Sequence, residues 1–146
     1  MAGLVLDVGC GSRPKGDVNV DFFKSGFNRQ EGDQEQGEYL DPKMVKNFVV
    51  ADACHLPFKT GVFCLVVSSH TIEHVGNPFL MFRELLRVSC GRVVVWCPHR
   101  LGSGARRPFH LNYLDEEWFK RLGVSVEVFV NGFEYPLANL RRYLKF

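Results

Sequence analysis

Short apolar runs bounded by turn residues alternate along this chain with stretches of helical character. That alternation predicts an α/β domain with a mainly parallel sheet. Strands are expected at Leu4 to Val8, Val18 to Asp21, Phe48 to Ala51, Phe63 to Ser68, Val93 to Cys97 and Val124 to Val130. The first five carry near-continuous Val, Leu and Phe, which suits central strands covered on both faces. Helix starts are marked by Asp41 before Pro42, by Asn77 and Pro78 before Phe79 to Val88, and by Asp115 before Glu116 to Leu122, with Gly123 closing the last. Each pairs a capping side chain with a suitable first turn. Lys24 to Glu38 is polar and rich in turn formers, so it is expected to be a surface loop, with a lid as the functional alternative.

Composition narrows the class without naming a partner. A chain of 146 residues is the size of one domain, so residues 1–146 are expected to form a single one. Its 46% hydrophobic and 23% charged content is that of an ordinary globular protein. Eighteen Lys and Arg against sixteen Asp and Glu leave a formal charge of +2, so nucleic acid is not indicated as a partner. The five cysteines are odd in number and form no CxxC pair, which points to reduced thiols rather than a disulfide framework or a zinc ribbon. No apolar run approaches the roughly 18 residues of a membrane span, and the first residues lead directly into a strand, so a cytoplasmic location without membrane contact is expected.

Three expected strand ends carry chemistry in order. Leu4-Val5-Leu6-Asp7-Val8-Gly9-Cys10-Gly11 is an apolar strand running into two glycines, where the backbone can turn sharply and approach a ligand. Val18-Asn19-Val20-Asp21 ends a second strand with a carboxylate suited to both hydroxyls of a ribose. A third strand ends in Asp52, within Ala51-Asp52-Ala53-Cys54-His55-Leu56-Pro57-Phe58. Beside a ribose, Asp52 would accept from an adenine amino group, and the Ala53 N–H would donate to a ring nitrogen. Asp7 has two readings: a residue of the ligand site, or a brace for the loop through backbone hydrogen bonds.

On these motifs, together with Val66-Val67-Ser68-Ser69-His70-Thr71-Ile72-Glu73-His74-Val75 and Arg92-Val93-Val94-Val95-Trp96-Cys97-Pro98-His99, the chain resembles the class I S-adenosylmethionine-dependent methyltransferases, in particular the small type 11 enzymes. The resemblance runs from Leu4 to about Gly123. It implies a Rossmann-like fold, α/β, with a mainly parallel sheet of six or seven strands, helices on both faces and a shortened N-terminus. It also implies S-adenosylmethionine as cofactor and an unidentified methyl acceptor as partner. Residues matching Asp7, Gly9 and Gly11, with Cys10 between the glycines, would form the floor under the methionine half of the cofactor. Asp21, Asp52 and Ala53 would hold the nucleoside, and Ser68, Ser69 and His70 would line the methyl-transfer end.

The chain departs from the family pattern in two places. Between Gly11 and Val18 there is too little chain for the usual first helix, because a parallel crossover commonly takes about a dozen residues or more. A short loop is expected in its place, and Arg13 in that loop is a candidate partner for the methionine carboxylate. Such a loop disfavours a dinucleotide, whose pyrophosphate relies on a helix N-terminus. The second departure is the absence of a helix before the first strand, which leaves that side open or covered by a second copy or another subunit.

His70, His99 and His110 are the candidate proton acceptors, needed only where the methyl acceptor must lose a proton. Arg106 and Arg107, in the loop that follows, would attract an anionic acceptor. His70-Thr71-Ile72-Glu73-His74 matches the HxxEH pattern of some metallopeptidases, but it follows a strand directly and ends at Gly76-Asn77-Pro78. A continuous ligand helix is therefore not expected there, and no metal is. The rival to an enzyme is a non-catalytic cofactor-binding or partner-binding subunit of a larger assembly. Phe22, Phe23 and Phe27, or Phe129 and Phe133, would supply its docking surface.

Overall fold

The computed structural model describes residues 3–11, 13–22, 42–107, 109–123, 127–131 and 141–145, the last two segments as backbone only. The expectations for Lys24 to Glu38, for Phe23, Phe27 and Phe133, and for the start of the last expected strand fall outside these residues. Five parallel strands form one sheet: β1 (Val5–Val8), β2 (Val18–Asp21), β3 (Phe48–Val50), β4 (Phe63–Ser69) and β5 (Ser89–Trp96), in the order β3-β2-β1-β4-β5. The order reverses at β1, whose neighbours are β2 on one side and β4 on the other. Ligands of open parallel sheets bind at such a reversal, beyond the carboxyl ends of the strands.

Both long connections carry the expected caps. Helix α1 (Pro78–Val88) starts at Asn77, whose Oδ1 accepts from Leu80 N at 3.0 Å, and proline occupies its first turn. Met81, Phe82, Leu85 and Val88 form its buried stripe. Helix α2 (Glu116–Lys120) starts at Asp115, which accepts from Trp118 N at 2.8 Å, and Gly123 follows it with φ +73. Phe119 from α2 packs edge-on against Phe82 of α1, with ring centroids 5.5 Å apart. Around them Leu6, Val8, Val20, Phe63, Val66, Ile72, Val93 and Val95 close one core.

Two differences from the expected elements have physical causes. Among the described residues the main sheet holds five strands rather than six or seven, because β6 (Glu127–Asn131) pairs antiparallel with β7 (Arg141–Lys145) in a separate two-stranded ribbon. Strand β5 begins at Ser89, directly after α1, instead of at Val93. A bulge between the Phe63–Ser89 and Leu65–Arg92 pairs absorbs the extra residue. Gly91 sits at that bulge, where a Cβ would lie 2.3 Å from the Cys64 carbonyl oxygen.

Candidate cofactor and transfer site

A strap, residues Gly9 to Asp17, leads from the carboxyl end of β1 back to the start of β2 and replaces a crossover helix. The strap turns back along β1: Asp17 N donates to Val5 O at 2.9 Å and Val5 N donates to Asp17 Oδ2 at 3.1 Å. Two strand carboxylates hold its middle. Asp7 Oδ2 accepts from Lys15 N at 2.8 Å and Asp21 Oδ2 accepts from Gly11 N at 2.9 Å. Asn19, 1% exposed, accepts from Gly16 N and donates to Gly16 O and Lys46 O, so β2 clamps both its flanks. Gly9 and Gly11 take left-handed backbone, φ 73 and 51, and a Cβ on Gly9 would meet Thr71 Oγ1. The brace reading of Asp7 is therefore realised, and burial raises its carboxyl above the usual range despite the amide bond. The Cys10 thiol, buried beside both acids, is pushed up to about 12. Arg13 is exposed, its backbone N–H bonded to Cys10 O.

Asp52 lies just past β3, in a turn that its own side chain closes by accepting from Cys54 N at 2.8 Å. That amide bond, with His55 Nδ1 at 3.0 Å, holds the carboxyl below its usual range while leaving it about half exposed. Ala53 beside it is buried. The loop is anchored from α1: Glu84 Oε2 accepts from Leu56 N at 2.8 Å, and Arg87 donates to Leu56 O, Phe58 O and Glu84. The Arg87 guanidinium lowers the Glu84 carboxyl and is itself raised by it.

On the other side of the reversal, β4 ends in Ser68 and Ser69. The Ser68 hydroxyl is buried and donates to Val8 O at 2.9 Å, so its side chain links β4 to β1. His70 follows with φ 54, an uncommon conformation for a residue with a side chain, and is about half exposed. Its backbone N–H donates to Trp96 O, and its Nδ1 lies 3.3 Å from Glu73 Oε1. His99 is buried, with Nε2 2.8 Å from Glu116 Oε2 of α2 and Nδ1 accepting from Leu101 N, so both ring nitrogens are engaged, one with α2 and one with its own turn. His110 is half-buried, with Nδ1 3.1 Å from Ala105 O, and burial lowers its pKa. Residues 71–74 form turns rather than a helix, as expected for the HxxEH segment. Sequence reasoning passed over Asn112, which joins the 72–75 turn to the His110 segment; a lone loop asparagine carries no signal of that.

A family model described as a methyltransferase domain matches residues 6–95. The chain belongs to that methyltransferase family. The methyltransferase domain is 38% identical over 76 residues to tocopherol O-methyltransferase of Arabidopsis thaliana, covering 48% of this chain and 22% of that one. It is 32% identical over 115 residues to the tRNA (carboxymethyluridine(34)-5-O)-methyltransferase of Saccharomyces cerevisiae, covering 75% and 40%. It thus spans well under half the length of these curated relatives. Among solved structures, an S-adenosylmethionine-dependent methyltransferase of Thermotoga maritima superposes with a TM-score of 0.67 at 16% identity, covering 99% of this chain and 76% of that one. The fold is the Rossmann-like class I methyltransferase fold, and S-adenosylmethionine is the cofactor that family and fold imply. No helix of the described residues is long and apolar enough to cross a membrane.

Proposed function

We propose that this domain transfers a methyl group from S-adenosylmethionine to an acceptor entering beside the ends of β4 and β5. One observation carries the reading: the Gly9–Gly11 turn, Asp21 and Asp52 all lie at the carboxyl edge of adjacent strands, next to the reversal at β1. The half-exposed Asp52 and the adjoining Ala53 suit an adenine edge. Asp21, at the carboxyl end of β2 beside that turn, suits the ribose, whose two hydroxyls a carboxylate can accept from. The Gly9-Cys10-Gly11 turn over Asp7 would form the floor, and the exposed Arg13 of the strap is the partner we assign to the methionine carboxylate. When bound, the cofactor supplies an electrophilic methyl on a sulfonium.

The chain's own part is alignment and exclusion of water rather than covalent chemistry. Ser69 and His70 border the transfer end, and His70 is the proton acceptor where the acceptor's nucleophile must be deprotonated. Arg106 and Arg107, in and just after the 3-10 turn Ser103–Arg106, favour an anionic acceptor. The five free cysteines accord with a reducing, cytoplasmic setting.

Titration calorimetry with S-adenosylmethionine, S-adenosylhomocysteine and NAD tests the cofactor half of this reading. Both adenosyl compounds should bind and NAD should not, and Asp52→Ala, checked for folding by circular dichroism, should weaken binding at least tenfold. Absence of binding would reject the transferase and favour a partner-binding subunit. An acceptor screen for S-adenosylhomocysteine release then separates turnover from binding alone.

A further inference from the structure

Just beyond the end of β4, three side chains that the transfer chemistry above does not use bring donor atoms together. Glu73, His74 and His110 each offer one ligand atom, and these atoms lie within 4.8 Å of one another. Two segments distant in sequence are stitched to make this so. Leu111 N and Asn112 N donate to Glu73 O at 2.8 and 3.1 Å, and Asn112 Nδ2 donates to Ile72 O at 3.0 Å and to Val75 O at 2.7 Å.

Glu73 is 1% exposed, yet neither carboxylate oxygen accepts a hydrogen bond among the described residues. His70 Nδ1 comes within 3.3 Å of Oε1 without hydrogen-bond alignment. A buried carboxylate in this state calls for a cation or for donors. The two imidazoles are prepared to help hold one. His74 Nδ1 lies 3.1 Å from Phe109 O and His110 Nδ1 lies 3.1 Å from Ala105 O. A carbonyl oxygen only accepts, so each ring carries a proton on Nδ1 and, when neutral, offers its lone pair at Nε2. Metal-ligating histidines are oriented by outer partners in this way.

We propose that Glu73, His74 and His110 form a binding site for a divalent transition-metal ion of the zinc type. Two imidazoles and a carboxylate are the donors such an ion takes, and three protein ligands leave a coordination position open. Around a tetrahedral ion with bonds of about 2.1 Å the donors stand roughly 3.4 Å apart, so small rotations of the half-buried rings complete the set. The ligands are not those of the HxxEH pattern, in which His70 and His74 bind and Glu73 acts as base. Here Glu73 is itself a ligand, and His110 supplies the third donor from a separate segment. The open position, at the end of β4, is available to water or to an oxygen or nitrogen of an incoming molecule.

The test uses the untagged full chain, stripped with a chelator, dialysed and titrated with zinc chloride alone, so it does not depend on cofactor binding. Stoichiometric zinc should bind, and should persist in elemental analysis after dialysis. His74→Ala and His110→Ala should each weaken binding roughly tenfold or more, whereas Cys90→Ser, which changes an exposed thiol outside the cluster, should not. Because Glu73 is buried and its replacement can disturb the turn, the two half-buried histidines carry the decision, with circular dichroism confirming that each variant folds. Failure of the wild-type chain to take up zinc, or uptake unaltered in both histidine variants, would overturn the site.

Discussion

Glu84 shows how one carboxylate governs a neighbourhood. It accepts the Leu56 amide and pairs with Arg87, which in turn holds the Leu56 and Phe58 carbonyls. Its lowered pKa means that this stabilisation is fully present above the unfolded value, about 4.3, and is lost as pH falls through the lower folded value. Glu84→Gln should cost about 1–3 kcal/mol at neutral pH in urea denaturation, and should flatten the fall in stability below about pH 4.5. Asp52, also lowered, adds to that acid sensitivity. Asp7 works in the opposite sense, because burial raises it: its share is present below the unfolded value and declines as pH rises through the folded one. At this scale the sequence announces which groups are acids but not their partners. Asp7 and Asp52 stand out beside glycine and alanine, whereas the Glu84–Leu56 bond joins residues 28 apart in sequence and has no local signature.

The strap between β1 and β2 was legible as a missing helix, since the spacing from Gly11 to Val18 admits none. The way it closes was not, because it depends on backbone groups meeting Asp7, Asp17, Asn19 and Asp21. Gly16 is pressed against backbone on three sides: a Cβ there would lie 2.4 Å from Val18 O, 2.8 Å from Asp7 N and 3.0 Å from Val5 O. Gly16→Ala should therefore destabilise the fold by about 1–3 kcal/mol, measured as a lower urea midpoint at unchanged slope. Helices α1 and α2 were legible to within a few residues because asparagine or aspartate caps precede them. Strand β7 was not, since Arg141-Arg142-Tyr143-Leu144-Lys145 has no alternation of apolar and polar positions and takes its form from pairing with β6. The early start of β5 was hidden for a similar reason: Ser89, Cys90 and Gly91 carry little strand preference, and a bulge beside β4 accommodates them.

For the molecule as a whole, the order of motifs along the chain was enough to anticipate a parallel sheet and the edge at which a nucleoside would sit. It was not enough to anticipate Glu73, His74 and His110 as one cluster, because the HxxEH spacing drew attention to His70 instead. That cluster needs α1 and β5 in place before Asn112 can reach the 72–75 turn, across 40 and 37 residues of sequence. The strap has the opposite character. It joins two neighbouring strands by the shortest connection between paired strands of the sheet, so closing it costs the least chain entropy. The two regions should consequently separate in time. In stopped-flow refolding, Gly16→Ala should spend most of its cost on a slower folding rate, and Asn112→Ala should act chiefly by hastening unfolding. The lost crossover helix thus has a kinetic counterpart: β1 and β2 can find each other early, and the histidine cluster is assembled last.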